Sequence, residues 1–147
     1  MGEVRDPLVA FKFGLELEGK MTGYFTNVSG IGSETEVITQ KIVSPSGEPM
    51  IRQIPGRLTW TPITLKRGVT DQMDIWEWRQ AVIDGKIDEA RTNASIIAYN
   101  QNNEPVAEWD LVNAWPSKVV GPEMDAGSAN YMIEDMTIVH EGMTRVK

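Results

Sequence analysis

The sequence predicts a mainly β protein: an antiparallel barrel or sandwich with one α-helix packed outside it. Three observations carry this. Apolar residues recur with a period of two through most of the chain. Clusters of glycine, proline and asparagine cut those runs into short lengths. Helical periodicity occurs in one stretch alone, so there is no β-α-β alternation to build a parallel sheet. At 147 residues the chain suits a single domain, 1–147, because a chain of about 150 residues buries one substantial core and seldom two.

In residues 8 to 17 the odd positions Val9, Phe11, Phe13, Leu15 and Leu17 are apolar, while the even set includes Lys12, Gly14 and Glu16. That is a half-buried strand. Glu18-Gly19-Lys20 turns the chain into "MTGYFTNVSG", which makes a β-hairpin. After Gly30 and Gly32 comes a third strand, "ETEVITQKIV". Residues 44 to 56, "SPSGEPMIRQIPG", hold three prolines and two glycines and read as a long surface loop. Unstructured loops of about a dozen residues are uncommon in compact domains unless they do something. This one carries apolar Met50, Ile51 and Ile54, which makes it a candidate contact element; the competing reading is a merely tolerated insertion.

"RLTWTPITL" resumes the strand pattern, with Pro62 marking an edge or a bulge. Lys66-Arg67-Gly68 then reads as a basic turn leading into the helix. Asp71 is placed to cap that helix, and Asp74 suits the positive end of its dipole. Ile75, Trp78 and Val82 share one face, with Glu77 and Gln80 pointing elsewhere, and Gly85 ends the helix. Beyond it, "TNASIIAYN" and "PVAEWDLVNAW" are strands joined by the turn formers of "QNNE". Pro116, Gly121 and Pro122 break the pattern before a closing strand, "NYMIEDMTIVHEG". The tally is about seven strands and one helix.

Composition removes several function classes. Hydrophobic residues make up 41% and charged residues 24%, an ordinary globular mixture. The formal charge of −7 argues against non-specific binding of polyphosphates. With no cysteine, thiolate metal sites, disulfides and thiol catalysis are absent. Lys12 interrupts the only apolar run near the start, and Glu3 and Asp6 precede it, so no export signal is expected. Asp6 also stands where an acylation motif after Met1-Gly2 requires Ser or Thr. No stretch is long enough to span a bilayer.

No catalytic, cofactor-binding or metal-ligating set stands out. His140 is the only imidazole, and neither Glu134 nor Glu141 gives it the spacing of a zinc or iron site. Carboxylate pairs are unspecific among 21 acidic residues. "GIGSET" has Thr35 where a dinucleotide fingerprint wants glycine, and "EGKM" and "DGKI" lack the hydroxyl residue of a phosphate loop. Lys66 and Arg67 at a helix start would suit an anion, but in so acidic a chain pairing with acids of this or a neighbouring subunit is favoured. Trp60, Trp76, Trp78, Trp109 and Trp115 would make a stacking platform only if gathered together. Their spread favours core and interface packing.

Four segments carry a family resemblance. "ITLKRGVTDQMDIWEW", "EWDLVNAWPSKVVGPEMDAG" and "IEDMTIVHEGM", with the N-terminal "DPLVAFKFGLELEGKMTGYFTNVSGIGSETEV", resemble in order the corresponding parts of phage tail-tube proteins and of the inner-tube proteins of contractile injection systems. Residues 44 to 56 depart from the pattern, since the family varies there. The resemblance implies two packed antiparallel sheets closing into a tail-tube-type β-barrel with one external α-helix. It implies a non-enzymatic structural subunit that needs no cofactor and forms homo-hexameric rings. Those rings stack into a hollow conduit inside a sheath, with baseplate and tube-terminating proteins at its ends. Effector cargo or phage DNA would occupy the lumen. Such a particle is assembled in the bacterial cytoplasm and has no direct membrane anchor. Under this reading Glu34, Glu36 and Gln40 are candidates to face the lumen. Met50, Ile51, Ile54, Lys66 and Arg67 are candidates for contacts between subunits or rings, and Glu77, Gln80 and Asp84 for facing the sheath. The competing reading is a monomeric barrel that binds a small ligand or carbohydrate with its tryptophans.

Overall fold

The structure is a computed structural model that describes residues 6–69, 72–122 and 132–147. Along the chain its elements are β1 (Lys12–Leu17), β2 (Lys20–Phe25), β3 (Asn27–Ser29), β4 (Ser33–Val43), β5 (Pro49–Trp60), β6 (Ile63–Gly68), α1 (Asp74–Ile83), α2 (Ile87–Ala90), β7 (Thr92–Tyr99), β8 (Pro105–Val120), β9 (Ile133–Val139) and β10 (Gly142–Arg145). Eight strands form one sheet in the order β2-β1-β7-β8-β9-β6-β3, with β10 also paired to β8; β4 and β5 form a separate two-stranded sheet. The protein is thus mainly β, with two sheets and few helices, and every pairing among the described strands is antiparallel.

Local chemistry explains the joints. Leu17 pairs with Lys20 across a two-residue turn in which Glu18 (φ 51°) and Gly19 (φ 80°) are both left-handed, the geometry that matches strand twist. In "QNNE" the Asn100 side chain accepts from the amides of Asn102 and Glu104 at 3.0 and 2.9 Å. Helix α1 ends as predicted at Gly85 (φ 80°), with the Gly85 amide on the Val82 carbonyl and the Lys86 amide on the Ala81 carbonyl.

Strand β8 is the spine. Its first half lies between β7 and β10, and its second half pairs with β9. The change comes at Asn113, a left-handed residue (φ 49°) whose side chain donates to Glu141 at 2.7 Å. The first and last strands of the path, β2 and β3, are separated only by Thr26, whose amide donates to the Lys66 carbonyl on β6 at 2.9 Å. The eight-stranded sheet therefore curls until its two ends meet in one continuous stretch of chain. Leu15, Phe25, Ile63, Leu65, Ile96, Leu111, Met136 and Ile138 fill the interior, and α1 covers it with Ile75 and Trp78. Val82 packs against the same cluster, so the apolar face read from the sequence is the face that docks. The Trp78 indole also donates to the Ala90 carbonyl at 2.7 Å, which ties α1 to α2.

The sequence reading needs correction in several places. Residues 44 to 56 are not a loop: Ser44–Glu48 is a tight turn, closed by Ser44 and Gly47 (φ 87°), and β5 begins at Pro49. Pro55 and Gly56 look like loop residues because Pro55, opposite Val37, borders the register shift and Gly56 lies within it, where a missing ladder donor is tolerated. Lys66-Arg67-Gly68 is likewise no turn but the end of β6, with those residues opposite Asp135, Glu134 and Ile133. Helix α1 starts after Met73, which makes no side-chain cap; Asp71 lies outside the described residues. Pro116 does not end a strand but lies buried inside β8, next to a register shift. The closing strand divides at His140 into β9 and β10, and its predicted start at Asn130 and Tyr131 lies outside the described residues. The single turn of α2 is too short to show a helical period.

Candidate functional site

The hairpin β4–β5 is the feature that a self-sufficient fold does not explain. Its strands of 11 and 12 residues pair only with each other among the described residues, so each carries an outer edge with free backbone donors and acceptors. Neither face is covered: Val37, Val43, Ile51 and Leu58 are exposed on one side, and Ile38 and Met50 on the other. Val43 is 71% exposed and Ile51 65%. A two-stranded ribbon is marginal in water by itself, and a long apolar edge invites pairing with other strands.

The predicted site residues distribute as follows. Glu34, Glu36 and Gln40 are exposed on β4 and share one face with Ile38 and Ile42. Arg52, Met50 and half-buried Ile54 lie opposite on that face, while Ile51 projects from the other side. Lys66 is exposed, across from Asp135. Arg67 is the exception. It is 4% exposed and its Nε donates to Glu134 Oε1 at 2.7 Å, Glu134 itself being 2% exposed. Its partner is an acid of the same subunit, so Arg67 is withdrawn from the candidate contacts between subunits.

Glu77 and Gln80 are exposed on α1, and Asp84 is exposed at its C-cap. Gln80 donates to Asp84 at 2.9 Å, which leaves the row anionic. Exposed charges contribute little to folding, so replacing Glu77 and Asp84 with lysine should shift stability by no more than about 1 kcal/mol. A denaturant melt of the isolated subunit checks this, and a larger loss would mean that the two residues support the helix.

The polar centre of the core was missed by the sequence reading, although its signal was present. Arg67 falls on the inward parity Ile63, Leu65, Arg67, and Glu134 on the inward parity Glu134, Met136, Ile138. Two opposite charges on inward positions of two strands predict a buried pair. The carboxylate's other oxygen, Oε2, accepts from Trp76 Nε1 at 2.8 Å.

The tryptophans form no shared platform. Trp78 is in the core, Trp76 binds Glu134, Trp60 lies against His140 (5.6 Å between ring centres) and Trp109 lies under Arg145. An open groove of about 330 Å³, lined by Leu8, Phe13, Val106 and Arg145 among others, includes only Trp109 of the five. No group of three or more His, Asp or Glu that could hold a metal occurs among the described residues.

Burial pushes the His140 imidazole down from its ordinary value near 6.5, opposed by backbone contacts at Gly142 and Thr61. A histidine whose folded value is lowered binds its proton more readily when unfolded. Its neutral form supports the fold fully above the unfolded value, and that support is lost as pH falls below about 6.5. Wild type should therefore lose more thermal stability than His140→Phe between about pH 8 and about pH 5.5. Equal losses would show that His140 is not coupled to folding.

Comparison with known proteins places this architecture. No curated protein sequence matches the chain. Solved structures do. A chain of the tube-terminating cap of the anti-feeding prophage has TM-score 0.75 and 22% identity, over 99% of this chain and 94% of that one. A chain of the sheath-tube complex of PVC, an extracellular contractile injection system in its extended state, has TM-score 0.73 and 21% identity, over 97% and 93%. Hcp1 from Flavobacterium johnsoniae has TM-score 0.55 and 17% identity, over 92% and 95%. At such identities the likeness shows the fold. Sequence carries the rest: residues 9–144 match the model of one family, nearly the whole chain, and the protein belongs to that family, the T4-like virus tail tube protein gp19 family.

Proposed function

We propose that this chain is the repeating subunit of the inner tube of a contractile tail or injection apparatus, and that β4–β5 is the element that makes it polymerise. The observation that carries this is the hairpin itself, which is exposed on both faces and, among the described residues, unpaired on both edges. Six copies in a ring, each offering such a ribbon, close the edges of one another's sheets into a continuous β-barrel around a channel, which removes the exposed edges. The curl of the eight-stranded sheet onto the stretch from β2 to β3 supports a small barrel within each subunit as well. In the ring the face bearing Glu34, Glu36 and Gln40 lines the lumen, giving a hydrated and anionic wall that disfavours adhesion of acidic cargo such as DNA or an acidic effector. Met50, Ile51, Ile54 and Lys66 contact the next subunit or ring. Glu77, Gln80 and Asp84 face the sheath, while baseplate and terminating proteins cap the stack. The particle is a phage tail or tail-like device assembled in the bacterial cytoplasm.

Shortening the hairpin tests this. Joining Glu36 to Gly56 through a short Gly-Ser link leaves the eight-stranded sheet and its core intact. The expected product is a folded monomer, lighter than the 16.4 kDa of the intact chain by the excised residues, that forms no tubes. Normal-length tubes from the shortened protein would refute the assignment.

A further inference from the structure

The buried pair Arg67–Glu134 is arranged in a way that stability alone does not explain. An arginine and a carboxylate usually share two parallel hydrogen bonds. Here the carboxylate is divided: Oε1 takes Arg67 Nε at 2.7 Å and Oε2 takes Trp76 Nε1 at 2.8 Å. The guanidinium is turned toward β2, where its carbon lies 5.2 Å from the Phe25 ring centre. Its Nη1 occupies the space above Gly23, only 2.6 Å from where a Cβ would be. Neither Nη1 nor Nη2 has a hydrogen-bond partner among the described residues. Burying two charges and leaving two donors without partners costs more than an apolar trio of the same volume would. What the trio provides that an apolar trio does not is direction.

We infer that Arg67, Glu134 and Trp76 are positioning residues that hold α1 in one docking register, tying the helix to the seam where β2 meets β6. The elements involved bear this out. Arg67 lies on β6 and reaches across to β2; Glu134 lies on β9; Trp76 lies on α1, with its ring edge against Gly121. The apolar contacts of Ile75 and Trp78 bury the helix but tolerate sliding and rotation, because burial is not directional. The indole–carboxylate bond does not. The row Glu77, Gln80, Asp84 on the opposite face thereby takes a fixed azimuth relative to the tube wall. The consequence for a sheath rests on the proposed function.

Hydrogen exchange on the assembled protein tests the tether. Trp76→Phe removes one donor and leaves the ion pair in place. Gly23→Ala pushes on Nη1 from another strand, and the pair Arg67→Met with Glu134→Leu removes both charges together. In all three the α1 amides should exchange about tenfold faster, the size of a lost hydrogen bond to a charged group, while β7 and β8 keep wild-type protection. Unchanged α1 exchange in Trp76→Phe, or losses spread evenly over the sheet, would overturn the inference. Sheath co-sedimentation on the same samples separates the two claims. Faster α1 exchange with reduced sheath binding supports both. Faster exchange with normal sheath binding keeps the tether and rejects α1 as the sheath contact.

Discussion

Gly30→Ala is expected to abolish folding or to bring the protein close to that point. Gly30 has φ 86°, a backbone conformation that strains any residue with a Cβ, and an added Cβ would lie 2.1 Å from the Pro62 carbonyl oxygen. The obstacle is backbone, flanked by the Pro62 carbonyl carbon and Ile63 Cα at 3.1 and 3.2 Å, so no rotamer change relieves it. Left-handed strain contributes about 1–2 kcal/mol, and displacing the start of β6, whose Ile63 is fully buried, brings the total to roughly 4 kcal/mol or more. In a domain of this size that lowers the melting temperature by about 10 °C or more. Gly19→Ala is the internal control. Gly19 has φ 80° with open space around it, so only the strain of about 1–2 kcal/mol should appear. Comparable melting temperatures for the two variants would mean that the contact with Pro62 is not decisive.

Trp78→Ala is expected to destabilise the subunit by about 3–5 kcal/mol. The side chain is 8% exposed in the core beneath α1, so truncation leaves a cavity and withdraws the donor from the Ala90 carbonyl. Trp78→Phe retains most of the volume and loses the hydrogen bond, and should cost about 1–3 kcal/mol. The order of the two in a denaturant melt tests the orientation of the helix. Should both cost less than about 1 kcal/mol, α1 would not dock on the face assigned to it.

Much of the fold was legible because most strands bury one face and leave the other wet. In β6 and β9 that asymmetry writes a period of two into the sequence, and in α1 it writes the spacing of Ile75, Trp78 and Val82. The hairpin β4–β5 escaped on the same physics. It buries neither face within its own subunit, so its second strand has no clean alternation, and Pro49, Pro55 and Gly56 then read as loop. If its partner is another chain, as the proposed function has it, its pattern makes sense only in the assembly. The candidate contacts Met50, Ile51 and Ile54 were therefore singled out as apolar residues in a long segment, but assigned the wrong secondary structure. Arg67 was misread for a different reason. Taken as a polar residue beside Lys66 it suggests a turn, whereas its parity with Ile63 and Leu65 sends it inward to Glu134. Length, charge and hydropathy do not register such a pair; strand parity does.

Electron microscopy of the purified protein tests the central claim most directly. A tube subunit whose hairpin completes its neighbours' sheets should form six-fold rings and stacks of rings with an open channel, and the same preparation with the hairpin shortened between Glu36 and Gly56 should show none. A stable, soluble species near 16.4 kDa from the intact chain, at any concentration and in the presence of its sheath and baseplate partners, would contradict the account.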